Sequence, residues 1–471
     1  MQKADAWIAG EAVSTSDTVP DLDPSTGEFL ADVSACGQQE VNEAISAARA
    51  ASTRYRKASA VTRAQLLMAM ASLIRRDAER LADLETSDVG KPISQSRADV
   101  EVCAKYFDFY AAAIQALSGE VLPQMDGVLA YTRREPFGVT GHITPWNYPL
   151  QMAARTVAPS LAAGNCVVLK PAEDAPLTSI ELGKLASEAG FAPGVFNVVP
   201  GLGHVAGAAL SGHRGIDHIS FTGSRVVGTV IAEAAARNVI PAVLELGGKS
   251  PHVVFEDADV DQVATTIVRV ILQNAGQTCS AGSRVLVHES ISDRLAEVIA
   301  RGLSAASVGP GSEDPDLGPL ISAKQRGRVL DLVDQGRGEA RLVTGGSVID
   351  RPGFYFEPTL FTDVPADSMV GTQEVFGPVL TLASFADDDA ALTLANGTDY
   401  GLTAAIWTRD ISRAHRMAED VCAGQVFINT YGAGGGVELP FGGWKRSGYG
   451  REKGLEGLLG YLQTKTVAVG L

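Results

Sequence analysis

The sequence predicts an α/β protein with two parallel, doubly wound sheets and a separate β segment. From residue 138 onward, short apolar runs such as 166–169 alternate with stretches of helical periodicity such as 176–189. Repeated strand–helix units of this length favour parallel sheets. The rhythm starts again after residue 259, with a helical stretch at 260–273 and an apolar run at 284–288, which indicates a second sheet.

The first part of the chain is helical, and a β segment follows it. Residues 41–56, 62–85 and 94–117 carry apolar residues at three- and four-residue spacing, which predicts helices. Residues 128–139 alternate and expose charged side chains, which predicts a long half-polar strand of the kind that often pairs outside its own domain. The tail at 462–469 also alternates and can pair with this strand.

Composition excludes several classes of protein. A chain of 471 residues is expected to form roughly two to four domains. The formal net charge of −16 argues against general nucleic-acid binding and against anionic membrane surfaces. The sequence has no apolar run long enough for a membrane span and no signal-peptide pattern at its start, so we expect neither.

The five cysteines are widely scattered. They form no CxxC pair and no Cys/His cluster, so we expect no metal site. An odd and sparse set of cysteines does not resemble a disulfide framework, and the expected location is therefore the reducing cytoplasm.

Two glycine-containing turns are candidates for phosphate binding. The GLGHVAG sequence at 201–207 follows an apolar strand, but an acidic residue about 20 positions on is represented only weakly, by Asp217. We therefore favour an ordinary strand–helix turn there. In FTGS at 221–224, Gly223 allows close backbone approach, and Ser224 can cap a helix, bind a phosphate, or do both.

The LKPAE sequence at 169–173 lies just past the carboxyl end of a predicted strand, where ligands of open α/β sheets bind. Lys170 can hold a ribose hydroxyl or a phosphate. Glu173 can accept two hydrogen bonds from a ribose diol, and its charge would repel a 2′-phosphate. A solvated Lys–Glu pair is the alternative interpretation.

Three further motifs carry groups suited to catalysis. Cys279 lies among small polar residues and glycines, which suits an accessible nucleophile, although most cysteines are buried. Glu245 precedes a glycine pair and can act as a general base if it is half-buried. Asn147, between two prolines, can donate to an oxyanion. A satisfied strand-end carboxylate and simple turn chemistry are the alternatives for the last two.

Taken in order, and together with EVFGP at 374–378 and PFGG at 440–443, these motifs resemble the NAD(P)-dependent aldehyde dehydrogenase superfamily over about residues 7–469. The resemblance implies a Rossmann-like NAD-binding domain (1–117 and 138–247), an α/β catalytic domain (248–445) and a small β oligomerisation arm (118–137 and 446–471). It also implies self-association into a homodimer or homotetramer.

The resemblance assigns catalytic roles. Cys279 would attack the aldehyde carbon, and the oxyanion would lie between the Asn147 amide and the backbone amide of Cys279. Hydride transfer to the nicotinamide would give a thioester, which Glu245 would hydrolyse by activating water. Because family members that transfer the acyl group to coenzyme A generally lack this base, Glu245 favours hydrolysis. A coenzyme A-acylating enzyme and a non-enzymatic structural member remain the alternatives.

The resemblance also assigns the cofactor site, with NAD favoured over NADP because of Glu173. Arg225 stands where the family often has threonine, and a cation there can strengthen phosphate binding or relax the NAD preference. The other residues that would bind the cofactor are Trp146, Lys170, Gly223, Ser224, Glu374 and Phe376.

The aldehyde itself is less defined. Arg155 is typical of succinate-semialdehyde dehydrogenases and would either hold a substrate carboxylate or form a surface or intersubunit ion pair, for instance with Glu438. The second arginine of that group is Gln273 here. Tyr148 and Phe441 would supply aromatic walls, with Trp444 nearby. The glycines of 432–436 would widen the tunnel or make a flexible loop, and a bulky, aromatic or carboxylated aldehyde is expected.

Overall fold

The computed structural model describes residues 3–123, 126–432 and 436–471. The helices within these ranges are α1 Gln38–Tyr55, α2 Ala60–Arg76, α3 Ala78–Val89, α4 Ile93–Gln115, α5 Pro149–Ala163, α6 Leu177–Glu188, α7 Ala208–Gly212, α8 Arg225–Asn238, α9 Val260–Leu272, α10 Ser292–Ala305, α11 Ala323–Glu339, α12 Met369–Thr372, α13 Asp388–Asn396, α14 Ile411–Asp420 and α15 Gly454–Leu459.

The strands are short, and most of them fall within two large sheets. Their bounds are β1 Lys3–Ala4, β2 Ala6–Ile8, β3 Glu11–Val13, β4 Thr18–Leu22, β5 Phe29–Ser34, β6 Val128–Pro136, β7 Val139–Ile143, β8 Cys166–Lys170, β9 Phe196–Val198, β10 His218–Thr222, β11 Ala242–Glu245, β12 Pro251–Val254, β13 Arg284–His288, β14 Arg341–Thr344, β15 Thr359–Thr362, β16 Val379–Phe385, β17 Tyr400–Gly401, β18 Thr403–Trp407, β19 Gln425–Ile428, β20 Trp444–Lys445, β21 Gly448–Tyr449 and β22 Leu462–Gly470.

The first large sheet has eight strands in the order β21-β11-β10-β7-β8-β9-β2-β3. The five central strands β11, β10, β7, β8 and β9 run parallel, and the remaining strands pair antiparallel at the two ends. Strands β8, β10 and β11 end at Lys170, Thr222 and Glu245. Because the carboxyl ends of parallel strands meet at one edge of a sheet, these three residues share that edge.

The second large sheet has seven strands in the order β14-β15-β16-β13-β12-β18-β19. All of its neighbours are parallel except β14, which lies antiparallel at one edge. Each sheet packs against its own main cluster of buried apolar side chains. The prediction of an α/β fold with two parallel sheets is confirmed.

Strands β6 and β22 form a separate two-stranded ribbon. Their antiparallel register runs from Leu462 opposite Pro136 to Gly470 opposite Val128, which confirms the predicted pairing of the tail with this strand. The predicted arm segment 446–471 also contains β21, which pairs with β11 in the first large sheet. Only its last part reaches the ribbon, and the division into domains otherwise stays a prediction.

The structure corrects one local prediction and adds detail to others. The stretch 62–85 forms two helices, α2 and α3, because Asp77 between them leaves helical geometry at φ −98° and ψ 18°. The loop at 201–207 contains a π-helical turn at Gly203–Gly207 before α7. Cys422 is half-buried. Within the described ranges, no helix combines the length and apolar character that crossing a membrane requires.

Candidate active site

The segment that carries Cys279 follows α9 through an unusual turn. Asn274, Ala275 and Gly276 have φ values of 46°, 54° and 69°, so three consecutive residues adopt the left-handed conformation. Such a conformation is uncommon outside glycine and costs free energy at each residue. At Gly276, a Cβ atom would lie 2.1 Å from the carbonyl oxygen of Gly377, so the turn requires glycine there.

Side-chain hydrogen bonds hold Asn147 against this turn. The Nδ2 of Asn147 donates to the carbonyl of Gln277 at 2.8 Å, and the Nδ2 of Asn274 donates to the carbonyl of Asn147 at 2.7 Å. The Nε2 of Gln277 donates to the carbonyl of Asn274 at 3.0 Å. The predicted oxyanion donor is therefore fixed to the loop that carries Cys279. Sequence reasoning missed Asn274 and Gln277, although both are polar residues next to the predicted nucleophile.

Cys279 lies between two cavities, and it lines both of them together with Met152. The first, which we call the small cavity, has a volume of about 150 Å³. The second, the large cavity, has a volume of about 540 Å³. A molecule in either cavity therefore has access to the same thiol.

The small cavity gathers most of the residues predicted to bind a cofactor. The rings of Trp146 and Phe376 meet edge to face, with centroids 5.3 Å apart. The Oε1 of Glu374 accepts a hydrogen bond from the Gly248 amide at 2.9 Å, while burial raises the pKa of Glu374 to about 7. The remaining predicted residues that line this cavity are Asn147, Gly223, Ser224 and Glu245.

Lys170 and Glu173 lie together but not in the lining of the small cavity. The Nζ of Lys170 is 2.9 Å from Oε2 of Glu173, and the Gly203 amide donates to Oε1 of Glu173 at 3.4 Å. Burial by itself would raise the pKa of Glu173, but the Lys170 ammonium lowers it below the ordinary value. Lys170 is buried. The alternative interpretation, a solvated Lys–Glu pair, is therefore wrong for the lysine.

The large cavity is lined by all four residues predicted for the substrate, Tyr148, Arg155, Gln273 and Phe441. The hydroxyl groups of Tyr148 and Thr278 are 2.7 Å apart. Gly432 and Gly436 also line this cavity, whereas residues 433–435 of the predicted glycine loop lie outside the described residues. Trp444 is exposed in β20 and pairs with β17 instead of lining the cavity.

Glu245 and Arg155 meet beside Cys279 in a buried position. The Nη2 of Arg155 is 3.8 Å from Oε2 of Glu245, and the Nε of Arg155 contacts Oε2 of Glu452. The predicted surface or intersubunit pair with Glu438 is therefore wrong, because Arg155 is only 3% exposed and pairs internally. Sequence reasoning missed Glu452, which is distant in sequence and belongs to no motif used above.

The ionisation of the two predicted catalytic groups is strongly perturbed. Burial raises the pKa of the Cys279 thiol to about 11, although the Arg155 guanidinium lowers it in part. Burial also raises the pKa of Glu245 well above its ordinary range, and the negative charge of Glu452 adds to this effect. A carboxyl group with a raised pKa beside a thiol is an arrangement suited to general-base chemistry.

Comparison with known proteins identifies the family. The model of the aldehyde dehydrogenase family matches residues 11–467. The chain belongs to the aldehyde dehydrogenase family. An aldehyde dehydrogenase of Enchytraeus buchholzi is 42% identical to it over 96% of this chain and 92% of the relative. Oxidation of an aldehyde is therefore the reaction class of this protein.

Solved structures agree with this assignment. The indole-3-acetaldehyde dehydrogenase of P. syringae, in complex with NAD⁺ and IAA, superposes with a TM-score of 0.98 at 38% identity over 100% of this chain and 97% of that chain. The gamma-glutamyl-gamma-aminobutyraldehyde dehydrogenase of Burkholderia cenocepacia has a TM-score of 0.98 at 41% identity, with the same coverage. The predicted family and fold are confirmed.

The residues present in this dehydrogenase fit a dinucleotide. Ser224 caps α8, where its Oγ accepts a hydrogen bond from the Val227 amide, so the helix N-terminus faces the small cavity and favours an anion. A Cβ atom on Gly247 would lie 2.1 Å from Oε2 of Glu374, so a larger residue there would displace that carboxylate. Arg225 pairs with Asp399 at 3.0 Å, so its charge is already partly compensated.

The described residues contain no group of three or more histidine, cysteine, aspartate and glutamate side chains placed to hold a metal ion.

Proposed function

We propose that this dehydrogenase oxidises a bulky, uncharged aldehyde to the carboxylic acid with NAD as the oxidant. The observation that carries the proposal is the position of Cys279 between the two cavities. An aldehyde in the large cavity and a nicotinamide in the small cavity then reach one nucleophile from opposite sides. The balanced reaction consumes one aldehyde, one NAD and one water, and it yields the acid, reduced NAD and a proton.

In this mechanism the Cys279 thiolate attacks the aldehyde carbon. The side-chain amide of Asn147 and the backbone amide of Cys279 donate hydrogen bonds to the resulting oxyanion. The fixed position of Asn147 supports this role, because donors that are already oriented stabilise developing charge without reorganisation. NAD, when bound, supplies the hydride acceptor that allows the adduct to become a thioester on Cys279.

Glu245 then acts as the general base that removes a proton from water. The hydroxide equivalent attacks the thioester carbon, the bond to the Cys279 sulfur breaks, and the carboxylic acid leaves. The buried position of Glu245 beside the thiol and its raised pKa support this role, since a more basic carboxylate accepts a proton more readily.

The cofactor would be held by residues that line the small cavity and by the Lys170–Glu173 pair outside it. Lys170 and Glu173 would bind the adenosine ribose, and the charge of Glu173 would disfavour the 2′-phosphate of NADP. Gly223 and Ser224 would meet the pyrophosphate at the N-terminus of α8. Glu374 would hold the nicotinamide ribose, with Trp146 and Phe376 packed beside the ring.

The large cavity favours a bulky aldehyde without a carboxylate. Its volume of about 540 Å³ and the rings of Tyr148, Tyr431 and Phe441 suit an arylalkyl group. The pairing of Arg155 with Glu452 and Glu245 leaves less positive charge for a substrate carboxylate. The similarity to the P. syringae indole-3-acetaldehyde dehydrogenase, whose solved complex contains NAD⁺ and IAA, supports the choice of an arylalkyl aldehyde.

The proposal is tested by following reduced NAD with phenylacetaldehyde, indole-3-acetaldehyde, hexanal and succinate semialdehyde at matched concentrations. We expect the aromatic aldehydes to give the highest kcat/KM and NADP to be the poorer oxidant. Preferential turnover of succinate semialdehyde would contradict the substrate assignment. Dependence on coenzyme A, with an acyl-coenzyme A as product, would contradict hydrolysis.

We also propose that the ribbon of β6 and β22 joins subunits into a homodimer or homotetramer. A ribbon of two strands outside both large sheets offers edges on which a second chain can pair, which supports this role. Light scattering should show a smaller assembly after deletion of residues 462–471.

A cytoplasmic location is likewise proposed, supported by five free cysteines, all of which lie in the described ranges.

A further inference from the structure

Three buried charged side chains meet beside Cys279, and each comes from a different part of the chain. Arg155 lies on α5, Glu245 ends β11, and Glu452 lies opposite Phe441 in a short antiparallel bridge. Arg155 is 3% exposed, and the two glutamates are each 2% exposed. A single guanidinium therefore lies between two carboxyl groups in a place with little access to water.

The two carboxyl groups differ in the other partners available to them. Glu452 also accepts a hydrogen bond from the Ser220 hydroxyl at 3.2 Å. Neither oxygen of Glu245 has a hydrogen-bond partner within the described part of the chain, and its ion pair with Arg155 spans 3.8 Å. A buried carboxylate without hydrogen bonds depends on a nearby cation to stay charged. For Glu245, Arg155 is such a cation, at 3.8 Å.

Other charged or titratable groups also face this cluster. Arg451 and Lys453 flank Glu452 in the same segment, and Arg451 acts on Glu245 in the same direction as Arg155. Tyr106 reaches Arg155 from α4, and Cys279 faces it from the nucleophile loop. Arg155 itself forms one ion pair with Glu245 and another with Glu452.

The orientation of Arg155 is constrained from a second side. Its guanidinium carbon lies 4.3 Å from the centre of the Phe441 ring. A cation over an aromatic face is attracted to it. The Phe441 ring therefore helps to hold the guanidinium in the position where it contacts both carboxylates. A substrate carboxylate that approached Arg155 would meet a guanidinium that already pairs with two carboxylates.

We propose that Arg155 is a positioning residue for Glu245, shared with Glu452, and that it is not an anchor for the substrate. Its guanidinium favours the ionised form of Glu245 against the effect of burial and keeps that carboxylate beside the thioester. This inference rests on the proposed function, because it assumes that Glu245 is the base of the hydrolysis step. Arg155 thereby sets the pH range in which the acyl-enzyme is hydrolysed.

The test compares the variants Arg155→Met, Arg155→Lys, Glu452→Gln and Arg155→Met/Glu452→Gln with a neutral aromatic aldehyde. The measurements are the pH profile of kcat and the first turnover of reduced NAD in a rapid-mixing experiment. In Arg155→Met we expect the acidic limb of the kcat profile to move up by about one pH unit or more, since the loss of an opposite charge at this distance has that effect. A burst of one reduced NAD per subunit should precede the slowed steady state.

The other variants separate an electrostatic role from a merely structural one. Arg155→Lys should keep most of the wild-type profile, because it retains the cation. Glu452→Gln should move the acidic limb to lower pH, since Arg155 then serves Glu245 alone. In the double variant the acidic limb of the kcat profile should return most of the way from its position in Arg155→Met to its wild-type position. If Arg155→Met fails to fold, the comparison of Glu452→Gln with the double variant still decides the question, because these two proteins differ only at Arg155.

Three outcomes overturn the inference. One is an unchanged pH profile in Arg155→Met together with a raised KM for succinate semialdehyde alone, which would make Arg155 a substrate anchor. Another is an acidic limb in Glu452→Gln that stays in place or moves up. The third is the absence of a burst in Arg155→Met. If the wild-type protein oxidises no aldehyde, the proposed function fails instead, which is a distinguishable result.

Discussion

The two cavities beside Cys279 are built from different kinds of structure. The small cavity is formed largely at the carboxyl edge of the first large sheet, where Thr222 and Glu245 end parallel strands. The large cavity is lined mainly by side chains of α4, α5 and α9 and by the loop after β19. The sheet therefore determines the position of the cofactor site, whereas helix and loop side chains determine the shape of the aldehyde site.

The largest effect is expected where the two cavities meet. Cys279→Ala should lower turnover by on the order of 10⁴-fold or more, because removal of a nucleophile abolishes the covalent route. Binding of NAD, measured by quenching of tryptophan fluorescence, should persist. Cys422→Ala is the matched control, since Cys422 is also half-buried, and it should keep wild-type turnover. Residual activity in Cys279→Ala near the wild-type level would remove Cys279 from the mechanism.

The next effect concerns Asn147, which lines the small cavity together with Cys279. Asn147→Ala should lower kcat by on the order of 100-fold or more, because loss of one oxyanion donor costs about 2.7–4 kcal/mol in the barrier. The KM for NAD should change little. Wild-type turnover in this variant would show that Asn147 is not an oxyanion donor. A parallel loss of thermal stability would instead indicate that Asn147 mainly supports the nucleophile loop.

The pH dependence of the wild-type enzyme tests the roles of Cys279 and Glu245 together. The active forms are the Cys279 thiolate and the Glu245 carboxylate, and burial raises the pKa of both groups. With a thiol pKa of about 11, the thiolate fraction rises about tenfold for each pH unit below that value. We therefore expect kcat/KM to rise with pH from neutral into the alkaline range. A profile that falls above neutrality would contradict this assignment.

A smaller effect should be confined to the cofactor side. Glu173→Gln should raise the KM for NAD about tenfold, since a hydrogen bond to a charged group contributes about 1.5–3 kcal/mol. The preference for NAD over NADP should also narrow, while the KM for the aldehyde should stay unchanged. Steady-state kinetics with both dinucleotides measures this, and an unaltered NAD preference would remove Glu173 from the adenosine site.

The smallest effect is expected at the rim of the large cavity. Gln273 is exposed there, so Gln273→Ala should change the KM for bulky aldehydes by only about twofold to threefold, as expected for a contact worth about 0.5 kcal/mol. Phe441→Ala is the contrasting variant, because Phe441 is buried and packs on Arg155. A larger KM change in Gln273→Ala than in Phe441→Ala would mean that the rim selects the substrate.

The sequence predicted the parallel sheets because each strand is a short apolar run whose ends are marked by local residues. It also predicted Cys279, Glu245 and Asn147, which lie in local motifs. It did not predict the partner of Arg155, because Glu452 is distant in sequence and is brought near Arg155 by tertiary pairing, such as that of β21 with β11. The break at Asp77 was missed for a similar reason, since the apolar spacing continues on both sides of it.

The left-handed run from Asn274 to Gly276 bears on the balance between stability and activity. Two of its three residues carry side chains, and each such residue is expected to cost about 1 kcal/mol or more relative to a relaxed backbone. The chain therefore gives up folding free energy next to its nucleophile. Selection for thermostability alone would favour glycine at Ala275, and the more flexible loop would then hold the thiol less firmly.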